Sequence, residues 1–142
     1  WSPDGSQIVF VTLNPLTNRP TLFIVDSEGQ NEPKGILGGQ YTEAYRPDWT
    51  PEGDLIVFDL GGEGVLGGRL LGRNQDAPIH TNLAVAEGPD FSPDGKWLAC
   101  DGVLDLPRHD IFLMLRTGAR FQRLTEDPAE DYHADWRPST DP

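Results

Sequence analysis

The chain opens with WSPDGSQIVF (residues 1–10), and the same pattern returns as WTPEGDLIVF (49–58) and FSPDGKWLAC (91–100). A fourth copy begins at Trp136 with WRPST (136–140). The aromatic residues that begin the four copies are 48, 42 and 45 residues apart along the chain. This regular spacing predicts a protein built from repeats of one small structural unit.

Each copy has the composition of a tight turn followed by a buried strand. Pro presets φ at the second turn position, and Asp-Gly supplies the polar and left-handed residues that reverse the chain. The apolar triplet that follows is typical of a strand covered on both faces. We therefore assign structural roles to the anchoring aromatics and the turn glycines, which are Trp1, Trp49, Phe91, Trp136, Gly5, Gly53 and Gly95.

The repeat length fits four-stranded propeller blades of roughly 40–50 residues. The sequence therefore predicts an all-β β-propeller of antiparallel four-stranded blades, with three blades in one domain (1–142). Their approximate bounds are 1–48, 49–90 and 91–136. Gly61-Gly62 and Gly67-Gly68 interrupt the apolar pattern of the middle repeat. Further strands are predicted at 21–25, 34–37, 110–115 and 121–125.

The aromatic-Ser-Pro-Asp-Gly turn resembles the mark of TolB-like (PD40, WD40-like) propeller repeats. The resemblance covers the whole chain, with three full copies of the motif in register. It implies that the segment before each aromatic is the innermost strand of a blade. These segments are 45–49, 88–91 and 132–136.

Three blades are fewer than the 4–8 that complete propellers usually have. Resemblance to TolB-like rings implies six to eight blades, and the last inner strand (132–136) has no blade of its own in this chain. Two interpretations remain open. Two chains pair by two-fold symmetry into a six-bladed ring, each strand 132–136 completing the first blade of the partner. Alternatively, the three repeats continue into further blades of a longer chain.

Charge and apolar patterning exclude several classes of partner. The net charge is −12, whereas phosphate binding needs a clustered cationic surface, so we expect no nucleic-acid partner. The longest apolar stretch is far shorter than the ~20 residues that span a bilayer, so we expect no membrane insertion. With Cys100 as the only cysteine, the chain has no internal disulfide.

The sequence contains no recognisable catalytic or cofactor motif. It lacks a Gly-x-Ser-x-Gly elbow and a phosphate-binding loop, and its three histidines lack the spacing of a zinc site. We therefore expect neither catalytic residues nor a cofactor. One alternative concerns Asp48, Asp90 and Asp135, each of which precedes an anchoring aromatic. Such carboxylates could bind Ca²⁺, but a repeated structural hydrogen bond, either between blades or within a turn, is the favoured interpretation.

The entrances of the inner strands are the best candidates for a binding site, because loops held by a rigid scaffold often carry function. Corresponding residues differ between repeats there, as an asymmetric ligand would require. The candidates on this axial face are Tyr45, Arg46, Glu87, Tyr132 and His133. Since Tyr and Arg are common interface anchors, we expect a protein or peptide partner. Replacing Arg46 with alanine is expected to leave stability nearly intact.

The predicted function is therefore a non-catalytic binding module of the TolB-like type. Resemblance also allows two alternatives: the propeller part of an enzyme, such as a prolyl-oligopeptidase-type peptidase cap or a lyase or lactonase, and a structural block whose biology is self-assembly. The resemblance implies a periplasmic or extracellular location. The residues themselves do not indicate a compartment.

Overall fold

The computed structural model describes residues 1–39, 41–105 and 107–137, and all regular secondary structure in these ranges is β-strand. The strands form three antiparallel sheets, one for each repeat, which confirms the predicted all-β fold with three propeller blades. None of the described segments forms a helix that could span a bilayer. Residues 138–140 of the fourth copy lie outside the described residues.

The first blade has three strands, and its order in space follows the chain. These are β1 (Gln7–Leu13), β2 (Pro20–Asp26) and β3 (Lys34–Gly35). The middle blade has five, in the order β4-β5-β6-β7 with β8 also paired to β6. They are β4 (Tyr45–Trp49), β5 (Leu55–Asp59), β6 (Val65–Leu70), β7 (Gln75–Asp76) and β8 (Ile79–His80).

The third blade has the predicted four strands, and its inner strand β9 lies at one edge of the sheet. The strands are β9 (Val85–Phe91), β10 (Trp97–Val103), β11 (Asp110–Leu115) and β12 (Gln122–Arg123). β9 begins three residues earlier than predicted, and β12 is two residues long where five were expected. Short outer strands pair only along one edge, so few of their residues form ladder hydrogen bonds.

The repeated turn is built from the side chains of its serine and aspartate. The Ser2 hydroxyl donates a hydrogen bond to Asp4 (2.6 Å) and accepts one from the Gln7 backbone N–H (2.9 Å). The third copy repeats both bonds with Ser92 and Asp94. Hydrogen bonds from the serine hydroxyl, and from the backbone beyond it, lower the pKa of each aspartate to about 2.

The turn glycines adopt the left-handed backbone that the motif predicts, and Gly53 has a φ of 74°. We expect Gly53→Val to destabilise the chain by about 1–2 kcal/mol, because a side chain in this conformation clashes with the following carbonyl. Thermal or denaturant unfolding would measure the change. Gly38→Val is the matched control, since Gly38 has ordinary φ and open space around it. Equal stability of the two variants would contradict the turn assignment.

The hydrophobic core consists of two layers, each between neighbouring blades. The layer between the first and middle blades contains Leu22, Ile24, Ala44, Trp49, Ile56 and Phe58. The layer between the middle and third blades contains Leu55, Val57, Leu66, Ile79, Leu83, Ala86, Phe91, Leu98, Cys100, Phe112 and Met114. Alternate residues of β5 enter opposite layers, as the period of a strand requires.

The prediction that the apolar triplet is buried on both faces agrees with the structure for two of the three copies. Residues 56–58 and 98–100 are buried, whereas residues 8–10 of β1 are only half-buried. Val9 packs toward the middle blade. Phe10 and Phe23 form a ring pair on the opposite face, their centroids 6.3 Å apart. The first blade therefore presents an apolar face that no other part of the described chain covers.

The glycines that interrupt the apolar pattern of the middle repeat have two different positions in the structure: Gly61 and Gly62 lie between β5 and β6, whereas the second pair lies within a strand. Gly67 and Gly68 lie inside β6 and are buried. A Cβ atom on Gly67 would come within 2.1 Å of the Phe58 ring, so its absence makes room for that side chain. A Cβ on Gly68 would meet the Ala77 carbonyl oxygen at the same distance.

Residues 132–136 were predicted to form an inner strand, but the structure shows no strand there. Strand assignment requires a paired neighbour, and an inner strand pairs with the strand that follows its own turn. The segment is nevertheless held against the third blade. The Trp136 backbone N–H donates to Asp90 Oδ2 (3.1 Å), and its indole N–H donates to the Asp90 carbonyl (3.0 Å).

Candidate functional site

The three inner segments lie side by side and line a groove along the propeller axis, which we call the axial groove. Its volume is about 430 Å³. Each repeat contributes its equivalent residues, so the groove consists of 46–48, 88–90 and 133–135. The repeat therefore brings together residues that are more than forty positions apart in the sequence.

Aspartates of the axial groove connect each blade to the next. Asp48 Oδ2 accepts a hydrogen bond from the Phe91 backbone N–H (2.8 Å), and Asp90 Oδ2 accepts one from the Trp136 N–H (3.1 Å). Asp48 and Asp90 lie close enough for each carboxyl to affect the pKa of the other. The structure thus shows the inter-blade hydrogen bonds that the sequence favoured for these two positions. Binding of Ca²⁺ by Asp48, Asp90 and Asp135 remains only an alternative.

Burial raises the pKa of Asp48 and raises that of Asp90 to about 7, and the neighbouring charges of Asp48 and then Asp135 add to the shift at Asp90. An unfolded aspartate has a pKa near ~3.9. Between these values the folded chain retains a proton that the unfolded chain releases. The protonated Asp90 carboxyl therefore contributes its full stabilisation of the folded chain below about pH 4. This contribution is lost as the pH rises through about 7.

We expect Asp90→Asn to abolish the loss of stability with rising pH. Its amide oxygen can still accept the hydrogen bond from the Trp136 N–H, but the amide does not ionise. Relative to the natural chain, the variant should gain on the order of 1 kcal/mol between pH 5 and pH 8, since solvent screens a partly exposed carboxylate. Denaturant unfolding across that range measures it. Asp94→Asn is the control, because the pKa of Asp94 is about 2 and its titration lies below the range. A pH-independent difference would refute the protonated carboxyl.

A second cavity adjoins the axial groove at Arg46, and we call it the mouth cavity. Its volume is about 480 Å³. It contains three of the five residues that the sequence singled out, namely Tyr45, Arg46 and Glu87. The whole lining is Glu43, Tyr45, Arg46, Asp59, Gly61 and Glu87.

An ion-pair network holds Arg46 in the wall of the mouth cavity. Its Nε donates to Asp59 (2.6 Å), a fully buried residue at the end of β5, and a terminal nitrogen lies 2.9 Å from Glu87. Partial burial opposes the charge, but the hydrogen bonds to Asp59 and Glu87 raise the pKa of Arg46 above its ordinary value. The expectation that Arg46 could be removed without affecting stability is therefore replaced by a different one, given in the Discussion.

Asp59 and Asp101 hold the same position in two repeats, each at or near the end of the strand after the turn. Asp59 accepts a hydrogen bond from the Gly88 backbone N–H (3.4 Å), and Asp101 accepts one from the His133 N–H (3.2 Å). These donors and Arg46 all have positive φ, between 44° and 57°. The first repeat has the half-exposed Val11 at this position instead.

Tyr132 and His133 lie beside Asp101 rather than in the mouth cavity. The Tyr132 ring packs against His109, with ring centroids 4.8 Å apart, and its hydroxyl donates to Glu130. That hydrogen bond raises the pKa of Tyr132 to about 12, with burial adding to the effect. The mouth cavity and this second cluster are connected through Glu87, whose carboxylate lies near both Arg46 and Asp101.

Sequence reasoning missed Glu43, Asp59, Asp101 and His109. The Glu43 carboxylate accepts the Tyr45 hydroxyl (3.0 Å), and this hydrogen bond, followed by burial, raises the pKa of Tyr45. A signal for the two aspartates was present, because acidic residues follow the apolar triplet in the second and third copies. His109 had no comparable signal.

No family model matches the chain, and no curated protein matches it. Solved structures do match its fold. A putative TolB from Agrobacterium tumefaciens has a TM-score of 0.78 at 18% identity, over 93% of this chain and 47% of that one. TolB from Acinetobacter baumannii has a TM-score of 0.71 at 25% identity, over 92% and 33%. A chain of a nidogen/laminin complex has a TM-score of 0.69 at 14% identity, over 87% and 45%.

The chain thus spans about half the length, or less, of the structures to which it is similar. These similarities show a TolB-like β-propeller fold of which this chain represents a part. They extend across nearly the whole chain, so all three sheets belong to the shared architecture.

Proposed function

We propose that this chain is part of a non-catalytic propeller that binds a cationic segment of a protein or peptide at its mouth cavity. The observation that carries the proposal is the cavity itself. Its walls combine Glu43 and Tyr45, at the inner segment of the middle blade, with Glu87 of the next blade, which stands where the other two inner segments have Tyr45 and Tyr132. A propeller scaffold holds such residues rigidly, which reduces the entropy lost on binding.

The chemistry of the mouth cavity favours a positively charged partner. Its lining includes three carboxylates and only one cation, Arg46, which already pairs with two of them. Tyr45 adds an aromatic surface of the kind enriched at interfaces. The chain as a whole carries a charge of −12, which would accelerate association with a basic segment. A protein-bound propeller is also found among the similar structures, in the nidogen/laminin complex.

Selection from a random peptide library against the immobilised chain tests this proposal. We expect the enriched peptides to be rich in Lys and Arg and to bind more weakly at higher salt. Glu87→Gln should weaken binding of the selected peptides about tenfold or more, as loss of an interfacial charge contact typically does. Selection in the presence of a chelator excludes bridging by metal ions.

Glu52→Gln is the matched control, because Glu52 is an exposed glutamate in a repeat turn and does not line the mouth cavity. It should leave peptide binding unchanged. Enrichment of acidic or purely apolar peptides would contradict the proposal, as would equal binding by the natural chain and Glu87→Gln.

We propose further that additional propeller blades cover the end faces of this chain. Within residues 1–39, 41–105 and 107–137, no inner strand pairs with β1 and no strand pairs with segment 132–136. The β4–β5 ladder pairs Asp48 with Val57 and Tyr45 with Asp59, so the equivalent pairing would place Asp135 opposite Val9 and Tyr132 opposite Val11. These blades belong either to a second copy, which would complete a six-bladed ring, or to a longer chain.

Light scattering distinguishes the two sources. A particle of twice the chain mass that separates on Phe10→Arg would support the two-fold ring, since Phe10 lies on the open face of the first blade. A folded monomer would refute the two-fold ring and leave blades of a longer chain as the remaining source. The peptide experiment is independent of this result, because the mouth cavity lies between the middle and third blades.

A further inference from the structure

Asp101 is a fully buried carboxylate that does not line the mouth cavity, and it lies beside His109 and beside Glu87, which the two sites share. Asp101, Glu87 and His109 each offer a ligand atom, and these three atoms lie within 4.8 Å of one another. Glu87 belongs to β9, Asp101 to β10, and His109 immediately precedes β11. Two neighbouring strands of the third blade and the residue before a third strand therefore direct their polar side chains to one point.

Comparison of the middle and third blades shows that Asp101 has no arginine as counter-charge. In the middle blade the equivalent carboxylate, Asp59, is compensated by the guanidinium of Arg46 at 2.6 Å. The residue equivalent to Arg46 in the third blade is Gly88, which has no side chain, and a Cβ there would lie only 2.9 Å from Asp101. Burying a carboxylate without a counter-charge is costly, so a cation near the place that the arginine occupies in the middle blade would stabilise the third blade.

We propose that Asp101, Glu87 and His109 bind a divalent transition-metal ion of the Zn²⁺ class. The donor set of two carboxylates and one imidazole leaves a coordination position for water or a ligand, as in zinc sites with three protein ligands. Zinc bonds of about 2.0–2.2 Å place donor atoms roughly 3–4 Å apart, so a small contraction of the cluster completes the site. An imidazole ligand disfavours Ca²⁺, which takes oxygen ligands.

The surroundings of the cluster suit this role. His109 Nδ1 is 3.4 Å from Asp101 Oδ2, which is long for a hydrogen bond, and the Tyr132 ring packs against the imidazole. The second oxygen of Asp101 accepts the His133 N–H, which fixes the carboxylate. Because a carboxylate has two oxygens, Glu87 can bind a metal and still contact Arg46.

Titration calorimetry with ZnCl₂ at pH 7.5, on the chain without any peptide, tests the site. We expect one Zn²⁺ to bind per chain and no comparable binding of CaCl₂. His109→Gln and Glu87→Gln should each weaken Zn²⁺ binding by at least about tenfold. His80→Gln is the matched control, since His80 is an exposed histidine of β8 outside the cluster, and it should bind as the natural chain does.

Far-UV circular dichroism establishes that each variant is folded. If His109→Gln does not fold, Glu87→Gln and the NMR signals of the His109 imidazole, which Zn²⁺ should shift, decide the question. Absence of Zn²⁺ binding would overturn the proposal, and so would binding that survives both substitutions. A protonated His109 that ignores Zn²⁺ would overturn it as well, because the imidazolium would then be the compensating cation.

Discussion

Replacing Trp49 with alanine is expected to lower the free energy of unfolding by about 3–5 kcal/mol. Trp49 is 6% exposed and belongs to the core layer between the first and middle blades. Removing its indole leaves a cavity between two sheets that cannot close without moving a whole blade. Urea unfolding, followed by circular dichroism, would measure the loss.

Trp1→Ala is the matched control for this prediction. Trp1 begins the first copy of the motif as Trp49 begins the second, yet it is 70% exposed in this chain. Its removal should therefore change stability by less than about 0.5 kcal/mol. Similar losses for the two variants in the monomeric chain would contradict the assignment of Trp49 to an inter-blade core.

Replacing Arg46 with alanine is expected to cost about 2–3 kcal/mol at neutral pH, because it leaves the buried Asp59 carboxylate without its counter-charge. The cost falls below that of a fully buried pair, since the Arg46 side chain is itself 38% exposed. Urea unfolding at pH 7.5, followed by circular dichroism, measures the loss.

Arg19→Ala provides the comparison for an exposed ion pair. Arg19 pairs with Glu43 at 3.0 Å, but the Arg19 side chain is more than half exposed. Its loss should change stability by under about 1 kcal/mol. An Arg46→Ala variant as stable as Arg19→Ala would show that Asp59 does not depend on the guanidinium.

Much of the fold could be predicted because the same turn-and-strand motif occurs in three full copies along the chain. The turn chemistry located β1, β5 and β10, and the predicted bounds of β4 and β11 agree with the structure. The strand bounds that the sequence left open in the middle repeat have a local cause. Gly67 and Gly68 resemble a break in the pattern, but they make room for Phe58 and for a neighbouring backbone.

The candidate site was only partly accessible from the sequence. Tyr45, Arg46 and Glu87 could be found together because the repeat aligns the inner strands around one axis. Asp59 and Asp101 were overlooked, because an aspartate after an apolar strand has the composition of a turn. His109 could not be placed, since its neighbours Glu87 and Asp101 come from different strands and share no fixed spacing with it.

The sheets contact one another only in series, and in the described residues no strand of the first blade contacts one of the third. The chain therefore behaves as a short linear array, in which stability is the sum of each unit and its interfaces with nearest neighbours. The middle unit has two interfaces and each terminal unit has one. Local unfolding should consequently begin at the first and third blades. Amide hydrogens of β5 in the middle blade should therefore exchange with solvent more slowly than those of β1.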